Sequence, residues 1–429
     1  MSRTGRILGA AARRACPAPA AIRPAGPKGP DQSMNAPTMR LAYFVHDLGD
    51  PAVIRRLDML APQLADAVVI GFHRDAVPPA TVAGWPAIPL GRTADRQLGR
   101  RVLSVLQARL RLGELRPRLE AATVVMSRQL ETLVLARAAR ARFAPGAMLV
   151  QECLDVHGLL VGGGLLNRAL RRLEGWLLRG CDLLLISSPA FLREHLAPAH
   201  GAALPQVLLV ENKVLGAELT MQAARPLASP PAGPPWRIGW YGMIRCRRSL
   251  ELLIGLVRQF PGLIEVEIRG RPSLNVIPDF AALVSGVPGL SFLGPYDRRH
   301  DLPAMYRGVH FAWAIDYYEA GANSDWLLPN RLYEGSLYGA VPITLARTET
   351  GRWLAGRQAG VLLQEPLEAA LPAYVSALDG AGYAAAAAAI AAIPRGDLVE
   401  DGTALGAALL RLPAPGAAMP PVAGRPVPA

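Results

Sequence analysis

The sequence predicts an α/β protein built from two doubly wound domains that face each other across a cleft. Three observations predict it. Short apolar runs alternate with longer amphipathic runs, the pattern of parallel strands wrapped in helices. The rhythm breaks once, at 224–235, where ARPLASPPAGPP holds five prolines and no hydrophobic period, and then restarts; such a segment is a linker between domains. The 429 residues also exceed what one core organises, and match two domains of roughly 150–200 residues with tails.

Residues 1–38 show no hydrophobic period, and their apolar run, Ile7 to Ala12, is too short for a secretory signal, so a disordered tail is expected. Folding signals begin at Arg40 and define a first domain over 39–223. LAYFV reads as a buried strand, HDLGDP as a turn and 52–64 as a helix. The strand AVVIGF, a proline-broken loop and a long helix near 93–119 follow. ATVVMS, AMLVQECL, DLLLISS and QVLLVENK read as strands, the first three separated by helices at 129–142 and 165–179. Beyond the linker, a second domain over 236–385 opens with the strand WRIGWYG and the helix SLELLIGLVRQF. LIEVEIRG, LSFLGPY, VHFAWAI and AVPITLA supply further strands, with a helix starting near Pro329 before the last of them. An Ala/Leu-rich segment predicts terminal helices over 386–411, and 412–429 reads as a second disordered tail.

Composition narrows the function. With 51% hydrophobic and 19% charged residues the chain buries ample core. No stretch free of Asp, Glu, Lys and Arg is longer than 76–91, which holds four prolines, so no run offers the roughly 18–20 apolar residues of a membrane span. Cys16, Cys153, Cys181 and Cys246 are widely spaced without a CxxC, giving neither a disulfide framework nor a zinc signature; a reducing, cytosolic compartment fits. The net charge of +12 is concentrated: 1–38 carries +5, and 92–118, with eight arginines against Asp95 and Glu114, carries +6.

Open α/β sheets bind ligands at the carboxyl ends of their strands, so the chemistry is sought there. The densest cluster is Asp316 to Pro342, DYYEAGANSDWLLPNRLYEGSLYGAVP. Its helix opens with Asn330 and Arg331 and offers free N–H groups to a diphosphate, while Glu334 can accept two hydrogen bonds from a ribose diol. The second cluster, Gly242 to Arg248 (GMIRCRR), lies in a strand-to-helix turn, where glycine lets backbone approach a phosphate and Arg245, Arg247 and Arg248 neutralise it. In the first domain, QECLDVHG places Glu152, Asp155 and His157 at a strand end, and alternate spacing sends Asp155 and His157 to one side. A structural Asp/His pair fits that spacing as well as a catalytic one. Gly49, Asp50 and Arg128 follow other strands. Absence of GxxxxGK[ST] and GxGxxG argues against P-loop NTPases and dinucleotide oxidoreductases, and absence of DxD leaves a diphosphate-bridging metal without ligands, so no metal site is expected.

WRIGWYGMIRCRRSLELL, IEVEIRG, LSFLGPY and PNRLYEGSLYGAVPI together resemble the nucleotide-binding half of GT-B glycosyltransferases, in particular the family 4-like enzymes of succinoglycan-type exopolysaccharide assembly. The resemblance covers roughly 40–385 and implies two Rossmann-like domains. It further implies a nucleotide-diphospho-sugar as co-substrate with no other cofactor, Glu334 on the donor ribose, and Arg245 with Arg247 or Arg248 on the diphosphate. It also implies retention at the anomeric carbon. The family's E-x₇-E pattern is broken: eight places before Glu334 stands Trp326, and Asp325 or Glu319 is left to substitute. Asp155, His157, Arg245 and Asp325 are therefore the catalytic candidates. Gly242, Arg247, Arg248, Asn330, Arg331 and Glu334 are the donor-binding ones.

The expected partners are a nucleotide sugar and a saccharide acceptor, polyprenyl-linked if the enzyme works at a membrane. The predicted helix near 93–119 sets Leu98, Val102, Leu106 and Leu110 on one face beside Arg100, Arg101, Arg109 and Arg111, a pattern able to bind an anionic bilayer. An ordinary domain helix, leucines inward, fits it too. A location at the inner face of the plasma membrane is the corresponding expectation. A non-catalytic nucleotide-sugar or polysaccharide-binding protein on the same scaffold is the rival reading. A nucleic-acid binder is disfavoured because the arginines lack interleaved aromatics.

Overall fold

The computed structural model describes residues 38–93, 98–221 and 230–411. The expected tails, apart from Thr38, and the first half of the linker, 224–229, lie outside the described residues. In the first domain, β1 (Met39–Val45), β2 (Leu64–His73), β3 (Thr81–Val82), β4 (Trp85–Arg92), β5 (Val124–Arg128), β6 (Met148–Cys153), β7 (Leu183–Ile186) and β8 (Gln206–Leu209) form one sheet in the order β3-β4-β2-β1-β5-β6-β7-β8. All pairings are parallel except the β3–β4 hairpin. Tyr43, Phe44 and their neighbours are wholly buried because helices cover both faces, which is why these strands read as unbroken apolar runs. The proline-broken loop expected between AVVIGF and the helix near 93 contains β3 and β4. Its prolines fit there because β4 lies near the sheet edge, with only the two-residue β3 outside it.

A short pair, β9 (Val214–Leu215) with β16 (Val399–Glu400), precedes and follows the second domain. That domain is a second parallel sheet, β12 (Leu290–Phe292), β11 (Ile264–Pro272), β10 (Trp236–Ile244), β13 (Phe311–Trp313), β14 (Val341–Leu345) and β15 (Val361–Leu363) in that order. Trp236, Trp240 and Trp313 fill its core. Helix Gly380–Ala391 runs through the expected boundary at 385 and packs Tyr383 and Ile390 into this core. The last described helix, Thr403–Arg411, instead returns to the first domain, with Leu405 and Leu409 buried against its core. Chain order and spatial domain thus part company at the carboxyl end.

Candidate active site in the interdomain cleft

The strand ends of the two sheets meet, and several hydrogen bonds cross between them. Asn330 Oδ1 accepts from Arg55 Nη1 at 3.0 Å, Asn323 Oδ1 accepts from the Val156 amide at 3.2 Å, and Asp58 accepts from Arg299 at 3.1 Å. Ser188 Oγ donates to the Trp326 carbonyl at 2.5 Å. Helix Pro51–Leu60, capped by Asp50, brings Arg55 to this interface from the first domain.

Glu334 forms the centre of the polar cluster. It lies within helix Asn330–Leu337 and is only 3% exposed. Its Oε1 accepts from Arg298 Nε at 2.9 Å and its Oε2 from the Tyr306 hydroxyl at 3.0 Å. Arg298 Nη1 also donates to Glu218. The carboxylate is therefore turned into a buried network rather than onto an open loop face, and a ribose diol reaches it only if Arg298 moves.

The same cluster holds unused donors: Arg55 Nε, Arg55 Nη2 and Arg298 Nη2 are buried and make no hydrogen bond within the described residues. Burial, and then the neighbouring Arg298 guanidinium, lower the Arg55 pKa to about 9. Burial works against the Arg298 charge too, but Glu334 and Glu218 outweigh it. Two cations held close with free N–H groups make an anion receptor, since each free donor costs desolvation until an acceptor arrives.

The loops after β10 and β13 also meet. Gly242 has φ +114° and its register partner on β11, Gly270, has φ +133°; a Cβ on Gly270 would lie 1.8 Å from the Gly242 carbonyl. Glycine is required at that crossing. Arg245 then reaches Asp316 Oδ2 at 3.4 Å, with its guanidinium 4.8 Å from the Tyr318 ring centre, and remains one-third exposed. Arg247 and Arg248 do not join it. Arg247 pairs with Asp279 and Glu251, and Arg248 with Glu365 and Glu368, on the flank of helix Arg247–Gln259. Arg331 Nη1 donates to the Trp313 carbonyl at 3.4 Å. Asp325 is bound by Arg347 and by the Gly321 amide, whereas the Glu319 side chain makes no hydrogen bond within the described residues.

Asp155 and His157 are not paired with each other. Asp155 Oδ1 accepts from Gln129 Nε2 at 2.7 Å, and His157 Nδ1 caps the short helix Gly158–Val161 by accepting from the Leu159 amide at 3.1 Å. Residue 156 turns its amide across the cleft, which breaks the extended alternation that would have aligned them. Glu152 is buried beneath the cleft, accepting from Arg56, Arg128 and the Tyr43 hydroxyl. Burial alone would raise its carboxyl, but Arg128, Arg56 and that hydroxyl hold it down at about 2. It braces β1, β5 and β6, and Arg128 extends the brace to Asp50 at 3.0 Å.

Sequence reading missed Arg55, Arg298, Tyr306 and His46. His46 Nε2 lies 3.9 Å from Asp50 Oδ2, its Nδ1 is buried without a hydrogen bond among the described residues, and burial lowers its pKa against the pull of Asp50. The HDLGDP turn carried the signal for His46; nothing local marked the other three.

No family model matches the chain. It is 40% identical over 367 residues to the succinoglycan biosynthesis protein ExoL of Rhizobium meliloti (strain 1021), an alignment covering 85% of this chain and 91% of that protein. Its fold is similar to Anabaena Alr3699/HepE, solved in complex with UDP-glucose (TM-score 0.63, 14% identity, 86% of this chain and 98% of that one). It is equally similar to the sucrose-phosphate synthase of Thermosynechococcus elongatus (TM-score 0.63, 14% identity, the same coverage). The two Rossmann-like sheets facing across a cleft are the GT-B arrangement. By sequence the chain belongs to the family of the succinoglycan biosynthesis protein ExoL, and by architecture it is a GT-B protein.

Proposed function

We propose that this protein is a glycosyltransferase that moves a sugar from a nucleotide-diphospho-sugar to a saccharide acceptor in exopolysaccharide synthesis. One observation carries the reading: two arginines with buried, unused N–H groups stand beside a glutamate where the two domains face each other. On donor binding Arg298 turns from Glu334 to the diphosphate, which also receives the free donors of Arg55, and the released carboxylate takes the ribose diol. Arg245, still exposed, adds charge at the loop after β10. Negative charge grows on the leaving diphosphate as the glycosidic bond breaks, and prearranged arginines stabilise it. The resemblance to family 4 enzymes supports retention of anomeric configuration and transfer that needs no metal at the diphosphate and no further cofactor.

The acceptor is proposed to be polyprenyl-linked and reached at an anionic membrane surface. Among the described residues no helix is long and apolar enough to cross a membrane. Helix Leu98–Arg111 nonetheless exposes Leu103, Leu106 and Leu110 (87% for the last), with Arg109 and Arg111 exposed beside them, while Val105, Ala108 and Leu112 face the core. Helix Leu165–Leu178, which like it packs against helix Leu130–Phe143, adds exposed Leu165, Leu166 and Trp176. Apolar side chains interleaved with arginines on one domain face suit an acidic lipid surface.

Calorimetric titration with UDP-, GDP- and ADP-sugars, followed by turnover in a lipid acceptor mixture, tests the reading. One donor class should bind, Glu334→Ala should weaken it by about 1–3 kcal/mol, and turnover should not respond to added magnesium or manganese. Product NMR should show the donor's anomeric configuration kept. Binding without turnover of any donor would assign the scaffold to a binding protein instead.

A further inference from the structure

Away from the cleft, one buried cluster has no part in the proposed transfer. Glu174, on helix Leu165–Leu178, accepts at a single oxygen, Oε2, from two imidazoles: His195 Nε2 at 2.9 Å and His200 Nε2 at 2.7 Å. The three side chains are 10%, 5% and 4% exposed, and their ligand atoms all lie within 4.8 Å of one another. Two features of the surrounding backbone serve this convergence. His195 sits in a π-helical turn, Phe191–Leu196, a wider coil than the α-helix it leads into at Ala197–His200; such turns are rare and concentrate at functional sites. Helix Leu165–Leu178 carries Gly175 in its interior, where a Cβ would lie 2.8 Å from His200 Nδ1. Glycine within a helix costs about 1 kcal/mol relative to alanine, and here it admits the His200 ring against the helix backbone.

We propose that Glu174, His195 and His200 form a binding site for a divalent transition metal, zinc by the chemistry of the ligands. Two imidazole nitrogens and one carboxylate oxygen are a zinc donor set, with a water completing the tetrahedron. Ligands 2.0–2.2 Å from zinc lie roughly 3.3 Å from one another, so the three atoms need only small displacements to surround one ion. Each imidazole gives up its Nε2 proton and carries one on Nδ1 instead, so neutral rings bind the metal without changing their proton count. Glu174 supplies one negative charge against the ion's two positive ones. The ion ties the helix bearing the exposed leucines and Trp176 to the segment 191–200, replacing the two Glu174–imidazole hydrogen bonds that join them without it.

The test uses the full chain without an affinity tag, stripped with a chelator, dialysed, and titrated with zinc and with cobalt. Expected are one saturable equivalent of zinc, a visible cobalt spectrum of tetrahedral type, and a higher unfolding midpoint with zinc than without. His195→Gln and His200→Gln should each weaken zinc binding at least tenfold, and Gly175→Ala, by displacing the His200 ring, should weaken it in the same direction. His300→Gln, an exposed histidine paired with Asp297, should change nothing. The native titration decides even if a variant fails to fold. Uptake by the native chain without saturation at one equivalent, or a tetrahedral cobalt spectrum retained in a folded His195→Gln variant, would overturn the assignment and leave a hydrogen-bonded triad.

Discussion

Arg55 is a costly residue for the isolated protein: a buried guanidinium with two unbonded nitrogens beside a second arginine. Its replacement by methionine, which keeps most of the packing volume, should leave the melting temperature unchanged or raise it while weakening donor binding about tenfold or more, measured by calorimetric titration. Equal losses of stability and affinity would reduce it to a structural residue. Glu152 makes the opposite case. With three partners and a carboxyl held at about 2, it is ionised in the folded state well below the pH at which the unfolded chain protonates it. Its contribution is therefore complete above about pH 4.5 and is lost as pH falls toward 2. Glu152→Gln should cost roughly 3–5 kcal/mol at neutral pH, the scale for breaking a buried ion cluster, and should flatten the acid limb of a stability-against-pH curve. Neither residue's environment was legible locally. Arg55 sits in VIRRLDML, which reads as a solvated helix face, and its meaning comes from Arg298 and Asn330, far along the chain.

Among the elements, helix Leu98–Arg111 is the one whose pattern was legible and whose orientation was not. The leucine spacing is plain in the sequence, and an ordinary core helix would have turned Leu106 and Leu110 inward; the fold turns Val105, Ala108 and Leu112 inward instead. Salt-sensitive sedimentation with anionic vesicles should follow, since surface attraction fades within about 8 Å at physiological salt. Leu106→Glu with Leu110→Glu should abolish it, and Arg109→Gln with Arg111→Gln should weaken it, both leaving donor binding intact. Sedimentation of the leucine double variant at native levels would remove the helix from any membrane role. The β10–β11 pair carries a backbone prediction. Because a Cβ at Gly270 meets the Gly242 carbonyl at 1.8 Å, Gly270→Ala should separate the strand ends, lower the unfolding midpoint by several degrees and disturb the Arg245 loop, read by calorimetry and donor titration. An unaltered midpoint would show that the crossing relaxes freely.

At the scale of the whole molecule, helix Thr403–Arg411 makes the second half of the chain part of the first domain's core. Leu405 and Leu409 are 1% and 4% exposed there, and a Cβ on Gly402 would lie 2.2 Å from the Met59 carbonyl. Ending the chain at Glu400 should destabilise the first domain more than the second. Leu405→Ala alone should cost about 2–5 kcal/mol, the usual range for a buried leucine, as read by hydrogen exchange in β1 and β2. Loss of protection confined to the second sheet would contradict the packing.

Sequence alone determined the two α/β domains and eleven of the sixteen described strands, missing β3, β4, β9, β15 and β16, because buried parallel strands and amphipathic helices write their periods into neighbouring residues. It also marked Glu334 and Arg245, whose family motif is local. Only the tertiary structure decided which charges meet. It turned Glu334 onto Arg298 and Tyr306, sent Arg247 and Arg248 to the flank, parted Asp155 from His157, and gathered Glu174, His195 and His200. Side-chain partnership depends on elements distant in the chain packing at a set angle, and a linear period carries no record of that angle.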